Sequence, residues 1–203
     1  MTLFDRIEAA RERWNVLRHP FYQRWSRGEL TRAELGFYAG QYRHAVVALA
    51  EATERAARAA GPEVATELER HAAQERAHVD LWDAFAAAVG AEAEAEPLPE
   101  TLACAETWTA GESLDEHLAV LYAIEASQPA ISATKLEGLV AHHGMSEDDP
   151  ATAYFSLHAK LDHEHAAQSR RALGEARGRR LAELAEAALA ANWRLLDGVE
   201  RSG

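Results

Sequence analysis

The stretch Tyr154-Phe-Ser-Leu-His-Ala-Lys-Leu-Asp-His-Glu-His165 decides how this chain is built. Within it, His158, Asp162 and His165 stand at positions i, i+4 and i+7. At 3.6 residues per helical turn, the second and third side chains point about +40° and about −20° away from the first. One helix therefore places two imidazoles and a carboxylate in a row along one face, which we call a ligand file. This set of ligands suits iron, manganese or zinc. The alternative is a solvated polar stripe on a surface helix.

A second file with the same spacing occurs earlier in the chain. His71, Glu75 and His78 again fall at i, i+4 and i+7 within Glu67–Trp82. One such file is weak evidence, because Glu and His are common on exposed helix faces. Two files in one chain favour a metal site, since helical bundles build such sites from inward-facing ligands on facing helices.

Glu125 adds a third source of ligands. It lies in Leu118–Ala126, a helical segment that is otherwise almost entirely apolar. A carboxylate in such a segment is predicted to be buried, and a buried carboxylate requires a partner. A metal ion fits that requirement, and an arginine is the alternative.

Composition predicts an all-α protein. The chain has 203 residues, enough for one substantial core, and alanine is abundant while 48% of residues are hydrophobic without strand-like alternation. A net charge of −12 argues against a nucleic-acid partner. Cys104 is the single cysteine, and the sequence contains neither a signal-peptide core nor an apolar run of about 18 to 20 residues. We therefore expect a cytoplasmic protein with no membrane partner.

The helix boundaries follow from local signals. Thr31 with Glu34 forms a capping-box pattern, and Gly61-Pro62 breaks the chain. Residues 91–99 are interpreted as an exposed connector. We expect a single-domain bundle of about seven helices over residues 1–203, with helical segments at 2–17, Pro20 to Gly28, 31–60, 63–89, up to Gly111, 113–142 with a kink at Pro129, 151–173 and 175–199.

These residues resemble the heme-oxygenase-like superfamily, which includes TenA, the PQQ synthase C protein and the dimetal oxidases. The chain is most similar to the branch typified by the chlamydial protein associating with death domains (CADD), from about His19 to Leu173. The three-ligand spacing at His158, Asp162 and His165 is the most specific marker. The other markers are His19-Pro-Phe-Tyr-Gln-Arg-Trp25 with Gly28-Glu-Leu-Thr31, Tyr38-Ala-Gly-Gln-Tyr42, His78-Val-Asp-Leu-Trp82, Tyr122-Ala-Ile-Glu125, Pro129, and Lys135 with Gly138-Leu139.

The resemblance implies a heme-oxygenase-like bundle with two metal ions, Fe/Fe or Fe/Mn, that uses O2 and an external reductant. It implies ligands at His78, Glu125, His158, Asp162 and His165. It also implies formation of p-aminobenzoate, a folate precursor, from the protein's own chain: Tyr22 supplies the aromatic ring, Lys135 is the amino donor and Tyr38 lies nearby. Such an enzyme makes at most one product per chain. We allow for a homodimer and leave the electron donor unidentified.

One departure from the branch concerns the metal site. His71 stands where the family has a glutamate ligand, seven residues before His78, so the site loses one negative charge. We predict His71 as a sixth ligand or a near neighbour, and Glu75, one turn further along, as an alternative ligand or a residue in contact with the ligands. The exchange leaves open which metals bind and whether both positions fill.

Other interpretations remain at this point. The same fold and ligands would suit an oxidase acting on an external amine, amino acid or fatty acid, and a non-enzymatic metal-binding interaction protein is a further alternative. Tyr22 and Tyr38 could be plain core aromatics, and Lys135 a surface lysine. A TenA-type hydrolase fits poorly, because that chemistry uses a cysteine nucleophile in the pocket. Cys104, the single cysteine, falls instead just after the proline-rich connector. A cofactorless PQQ-synthase role leaves the metal ligands without a purpose.

Overall fold

Helices account for the regular structure in the computed structural model, which describes residues 2–174, 176 and 178–203. The described residues form nine α-helices, two more than the predicted seven or so, and contain no strand. The helices are α1 (Leu3–Arg13), α2 (Pro20–Ser26), α3 (Arg32–Ala59), α4 (Ala65–Val89), α5 (Pro99–Trp108), α6 (Leu114–Glu125), α7 (Gln128–His142), α8 (Ala153–Leu173) and α9 (Arg179–Ser202), with 3-10 turns at Val16–Arg18 and Pro150–Thr152. The all-α prediction is confirmed. None of the described helices is both long and apolar enough to cross a membrane.

Compared with the eight predicted segments, one further helix arises at Pro129, where a kink was predicted and a break is found. Proline has no N–H to donate to the carbonyl of Glu125, four residues earlier. The Ala126 N–H still makes the helical bond to the Tyr122 carbonyl at 3.0 Å, but the Ser127 N–H bonds only three residues back, to the Ile124 carbonyl at 3.1 Å, which tightens and closes the last turn. Glu125 is therefore the last residue of α6, and Lys135 belongs to a separate helix.

Helix ends elsewhere agree with the local signals more closely. Thr31 and Glu34 form the predicted capping box, in which Thr31 Oγ1 accepts from the Glu34 N–H at 3.2 Å. Gly90 ends α4 with a positive φ of 81°, a conformation that favours glycine. Asp149 caps the 3-10 turn rather than α8 itself.

Two predicted boundaries need correction. The first helix was predicted to run to residue 17, but α1 ends at Arg13, because the Asn15 side chain accepts from the Leu17 N–H and starts a 3-10 turn. The last helix was predicted to begin at residue 175. Glu175 lies outside the described residues, and α9 begins at Arg179.

Two hydrophobic clusters fill the bundle. One is rich in aromatic rings and includes Trp25, Tyr38, Trp82 and Phe155, while the other is mainly aliphatic and includes Leu68. Along α4, Leu68 of the mainly aliphatic cluster comes first, then the ligand file His71, Glu75 and His78, and then Trp82 of the aromatic cluster. Along α8 the order is reversed, so that Phe155 precedes the second file and the aliphatic cluster follows it. The two polar files thus lie side by side between the two cores.

Candidate metal centre

Seven polar side chains from α4, α6 and α8 meet in one buried cluster between the hydrophobic cores. Each is at most 5% exposed, a burial that carboxylates almost never reach unless they are paired. The members are His71, Glu75, His78, Glu125, His158, Asp162 and His165. The structure therefore brings together every side chain that the sequence marked as a candidate ligand.

One half of the cluster is built around Glu125. His71 Nε2 lies 3.0 Å from Glu125 Oε1, and the His71 ring stacks on the ring of His165 with centroids 3.9 Å apart. On its other side, Glu125 Oε2 accepts a hydrogen bond from Ser169 Oγ at 3.3 Å. The Glu125 carboxylate, at the end of α6, thus has the imidazoles of His71 and His165 as neighbours.

The other half is built around His158. Its Nδ1 lies 2.9 Å from Asp162 Oδ2, and its ring meets the His78 ring edge-on at 4.6 Å between centroids. Asp162 Oδ1 is 3.6 Å from His165 Nδ1, which connects this half to the first.

Glu75 occupies the middle. Its Oε1 lies 3.2 Å from His78 Nδ1, 3.4 Å from His165 Nδ1 and 3.8 Å from His71 Nε2. Two groups of three residues have ligand atoms within 4.8 Å of one another, and both groups contain Glu75. They are His71, Glu75 and His165, and Glu75, His78 and His158. The carboxylate that the sequence offered as a substitute ligand is therefore shared by the two halves.

The hydrogen bonding of the cluster is incomplete, and this tests whether the residues suit a metal ion. In the part of the chain that the structure describes, thirteen buried side-chain nitrogen or oxygen atoms have no hydrogen-bond partner, and seven of them belong to this cluster. They include Glu75 Oε1, Glu125 Oε1 and both ring nitrogens of His71. His71 Nε2 and Glu125 Oε1 are 3.0 Å apart, but their relative orientation does not meet hydrogen-bond geometry. A buried polar atom without a partner is destabilising, and a divalent cation satisfies imidazole nitrogens and carboxylate oxygens together. The donor set fits metal ions.

The carboxylates differ in their electrostatics. Burial acts to raise the pKa of Asp162, but hydrogen bonds with His158 and His165 outweigh it and hold the pKa below its usual value. The pKa of Glu75 is likewise lowered, against its burial, by the neighbouring imidazoles. Burial raises the pKa of Glu125 above its usual value. Two carboxylates of the cluster are thus held in the ionised form that metal ligation requires.

Lys135 lies nearby in a box of aromatic rings, and it is not a surface lysine. The side chain is 1% exposed, and among the described residues no carboxylate lies within ion-pair distance of its amine. Five ring centroids lie between 4.5 and 5.6 Å from Nζ, those of Tyr22, Tyr38, Tyr42, Trp82 and Phe155. Burial lowers the pKa of the amine to about 7, so that about half of it is neutral at pH 7.

Tyr22 and Tyr38 form a buried pair against this amine. Their hydroxyl oxygens are 3.0 Å apart, and the Lys135 Nζ lies 5.5 Å from the centre of the Tyr22 ring. Burial raises the pKa of both phenols well above the usual value, so both stay protonated at neutral pH. The α2 helix also anchors the lysine, because Trp25 Nε1 donates to the Lys135 carbonyl at 3.1 Å.

Aromatic contacts connect Lys135 and its five surrounding rings, called the lysine box below, to the seven-residue polar cluster. The Trp82 ring lies 6.0 Å from Tyr38 and 5.0 Å from Tyr154, measured between centroids. The Tyr154 ring in turn lies 4.1 Å from the His158 ring. The box and the cluster are therefore two parts of one continuous site.

Several members of this site were not predicted as such. Tyr42, Trp82, Tyr154 and Phe155 stood in the quoted motifs only as markers of resemblance. Gln74 was not singled out at all, yet its Oε1 lies 3.3 Å from His165 Nε2. An aromatic residue within one turn of a candidate ligand was the signal that could have found Tyr154 and Trp82.

The bundle and its buried His and carboxylate cluster define a class of protein. Residues 43–199 match the family described as iron-containing redox enzyme, and the chain belongs to that family. It is thus placed among oxidoreductases with a heme-oxygenase-like fold.

Two relatives carry the same name. A protein of Nitrosomonas europaea named 4-aminobenzoate synthase is 33% identical over 187 residues, which cover 81% of this chain and 75% of the relative. A 4-aminobenzoate synthase of Chlamydia muridarum is 30% identical over 182 residues, 84% of this chain and 77% of the relative.

Solved structures share the fold. A TenA homologue from P. horikoshii superposes with a TM-score of 0.79 at 17% identity and covers 100% of both chains. A CADD-like protein from Nostoc punctiforme gives a TM-score of 0.64 at 22% identity over 95% of this chain and 94% of its own. The resemblance to the superfamily and to its CADD-like branch is confirmed.

The buried amine predicts a specific dependence of stability on pH. Because the pKa of Lys135 is about 7 in the folded chain and near 10.5 in the unfolded chain, the unfolded state binds more protons between these values. The free energy of unfolding should therefore rise with pH across this window, by at most about 1.4 kcal/mol per pH unit. Lys135→Met should lack this rise. Urea unfolding of both proteins from pH 6.5 to 9.5 measures the difference, and parallel curves would contradict the lowered pKa.

Proposed function

We propose that this chain forms p-aminobenzoate from its own Tyr22, with Lys135 as the amino donor, in a metal-dependent oxidation by O2. The observation that most directly supports this proposal is the lysine box. The buried Lys135 amine, with a pKa of about 7, lies 5.5 Å from the centre of the Tyr22 ring and next to the polar cluster. The names of the two relatives support the product.

The atoms of tyrosine correspond to those of the product. p-Aminobenzoate is a benzene ring with a carboxylate and an amine in para positions, and a tyrosine side chain is a benzene ring with Cβ and a hydroxyl in para positions. The reaction therefore breaks the Cα–Cβ bond of Tyr22, oxidises Cβ to the carboxylate and exchanges the ring C–O bond for a C–N bond. Cα of residue 22 takes a hydrogen in place of Cβ, and the ring oxygen leaves as water. The nitrogen leaves Cε of Lys135, which becomes an aldehyde with an oxygen from water. O2 is the oxidant, with an external reductant.

The surrounding residues prepare these two side chains. Tyr38 fixes the Tyr22 hydroxyl through the 3.0 Å hydrogen bond and is the direct partner for its proton. The aromatic walls exclude water from Lys135 and keep much of its amine neutral, which is the form able to make a bond to carbon. Because Tyr22 and Lys135 are both consumed, each chain makes one product.

We propose the polar cluster as the site of two metal ions, Fe/Fe or Fe/Mn. His71, Glu125 and His165 would hold one ion and His78, His158 and Asp162 the other, with Glu75 shared between them. When bound, the ions supply the activation of O2. Glu75 replaces the carboxylate lost at His71, so that the site keeps three carboxylates with four imidazoles.

Glu75→Ala tests this assignment by metal content. Because Glu75 contributes to both groups of ligand atoms, its loss should weaken both positions, and bound metal should fall from about two ions per chain to one or fewer. Glu69→Ala, an exposed carboxylate on the same helix, is the matched control and should keep the full metal content. Elemental analysis after removal of free metal gives the stoichiometry. An unchanged content in Glu75→Ala would remove Glu75 from the ligand set.

The proposed reaction as a whole is tested by mass. The metal-loaded protein is exposed to reductant and O2, and the intact mass, the tryptic peptide that covers Tyr22 and the free p-aminobenzoate are measured together. The peptide should lose mass in proportion to the product released. An unmodified Tyr22 peptide alongside released product would favour an oxidase acting on an external substrate.

A further inference from the structure

A cavity of about 170 Å³ opens beside the break between α6 and α7. It lies between α1, the chain that follows α1, the start of α7 and the middle of α9. Its apolar wall is formed by Trp14, Ile124, Ile131 and Leu189. Apolar cavities of about 150 Å³ take up a benzene ring, so this one has room for one six-membered ring or a short alkyl chain.

The cavity is lined on its buried side by two side-chain amides. Asn192 is 8% exposed, and its Oδ1 has no hydrogen-bond partner within the described ranges 2–174, 176 and 178–203. Gln128 is 3% exposed and donates its amide hydrogen to Tyr42 Oη at 3.4 Å. A buried acceptor without a donor is destabilising, and a ligand that brings an N–H to Asn192 Oδ1 would remove that penalty.

The charged side chains at the mouth of the cavity are paired with one another. Glu8 and Glu12 line the cavity together with a single cation, Arg11. The Arg11 guanidinium is already engaged, because Nε donates to Ser127 Oγ at 3.0 Å and Nη1 to Glu8 Oε2 at 2.6 Å. Glu12 in turn pairs with Arg18, so both carboxylates at the mouth are matched by a guanidinium and the amides on the buried side select the ligand.

The cavity also approaches the lysine box. Gln128 separates it from Tyr42, whose ring centroid lies 4.5 Å from Lys135 Nζ. A ligand in the cavity is therefore one layer of side chains away from the amine and the tyrosine pair.

We propose that this cavity binds a small primary amine carried on an aromatic ring or short apolar chain, with its N–H donated to Asn192 Oδ1. Two sources share this chemistry. One is p-aminobenzoate on its way out, which rests on the proposed function, and the other is an external amine, which does not. The binding itself involves no covalent step.

The test uses full-length Tyr22→Phe protein loaded with metal, so that no product of its own fills the cavity. Calorimetry measures binding of p-aminobenzoate and benzylamine, with benzoate and toluene as matched compounds without an amine. We expect one site per chain and at least about tenfold tighter binding of an amine than of its match, the effect of one hydrogen bond to a buried acceptor. Tighter binding of p-aminobenzoate identifies a product site, and tighter binding of benzylamine identifies an external amine.

Variants of the cavity test whether the preference for amines comes from the hydrogen bond to Asn192 Oδ1. Asn192→Leu, made in the same Tyr22→Phe protein, should remove the tenfold preference, whereas Asn192→Asp keeps an acceptor and should retain it. Leu189→Trp fills the cavity and should abolish binding, which keeps the test valid if Asn192→Leu does not fold. Equal affinity for amines and their matches, or binding unchanged in Leu189→Trp, would overturn the proposal. Product release by the parent protein is measured separately, so amine binding without p-aminobenzoate formation would reject only the proposed function.

Discussion

Tyr22→Phe is expected to abolish the formation of p-aminobenzoate, and Lys135→Ala is expected to do the same. The phenylalanine ring keeps the packing of the core but has no para oxygen to exchange for nitrogen and no hydroxyl to bond to Tyr38. Lys135→Ala removes the nitrogen that enters the product. In the parent protein the yield should stay at or below one product per chain, because both side chains are consumed.

Tyr122→Phe is the matched control for these variants. It also deletes a partly buried phenol, one that donates to Glu8 Oε1 at 2.7 Å, but it leaves the lysine box intact. Its yield should equal that of the parent. The measurement is product per chain by liquid chromatography after a single exposure to reductant and O2. Several products per chain, or a full yield from Tyr22→Phe, would show that the substrate comes from outside the protein.

Removing metal is expected to lower the melting temperature by roughly 10 °C. At a free metal concentration of about 1,000 Kd, one bound ion stabilises a folded protein by about 4 kcal/mol, and each kcal/mol shifts a chain of this size by about 2 to 4 °C. The structural reason is the seven atoms of the cluster that have no hydrogen-bond partner among the described residues. Calorimetric melting with and without chelator measures the shift.

Asp162→Ala should remove most of the increment that metal provides, because Asp162 faces both His158 and His165. Glu164→Ala is the matched control, since Glu164 is an exposed carboxylate two residues along the same helix. It should melt as the parent does in both conditions. Identical melting of the loaded and chelated parent would mean that these residues do not hold a metal coupled to folding.

Much of the centre could be predicted because helical periodicity is a local property. The offsets of four and seven residues place His71, Glu75 and His78 on one face of α4 wherever that helix packs. The same holds for the file on α8. Glu125 could be predicted to be buried because its neighbours are apolar, and burial requires no knowledge of the partner. Whether these residues bind metal remains a prediction.

The break at Pro129 marks the limit of that reasoning. A proline inside a helical pattern is compatible with either a kink or an end, and the sequence on each side remains helical in both cases. Which one forms depends on whether neighbouring groups can satisfy the freed carbonyl and on how the two segments pack. The structure ends α6 at Glu125, and the packing of α6 against α4 places the carboxylate 3.0 Å from His71 Nε2.

The sequence by itself determined that this is an all-α chain, that two ligand files have the same spacing, and that a carboxylate lies among apolar residues. Each of these is set within one helix, by composition and a period of 3.6 residues. Only the tertiary structure decided that Glu75 is shared by two groups of ligands. It alone also decided that Lys135 is enclosed by rings from α2, α3, α4 and α8. The physical reason is that contacts between helices depend on their relative rotation and separation, which the packing of the whole core fixes and no single segment encodes.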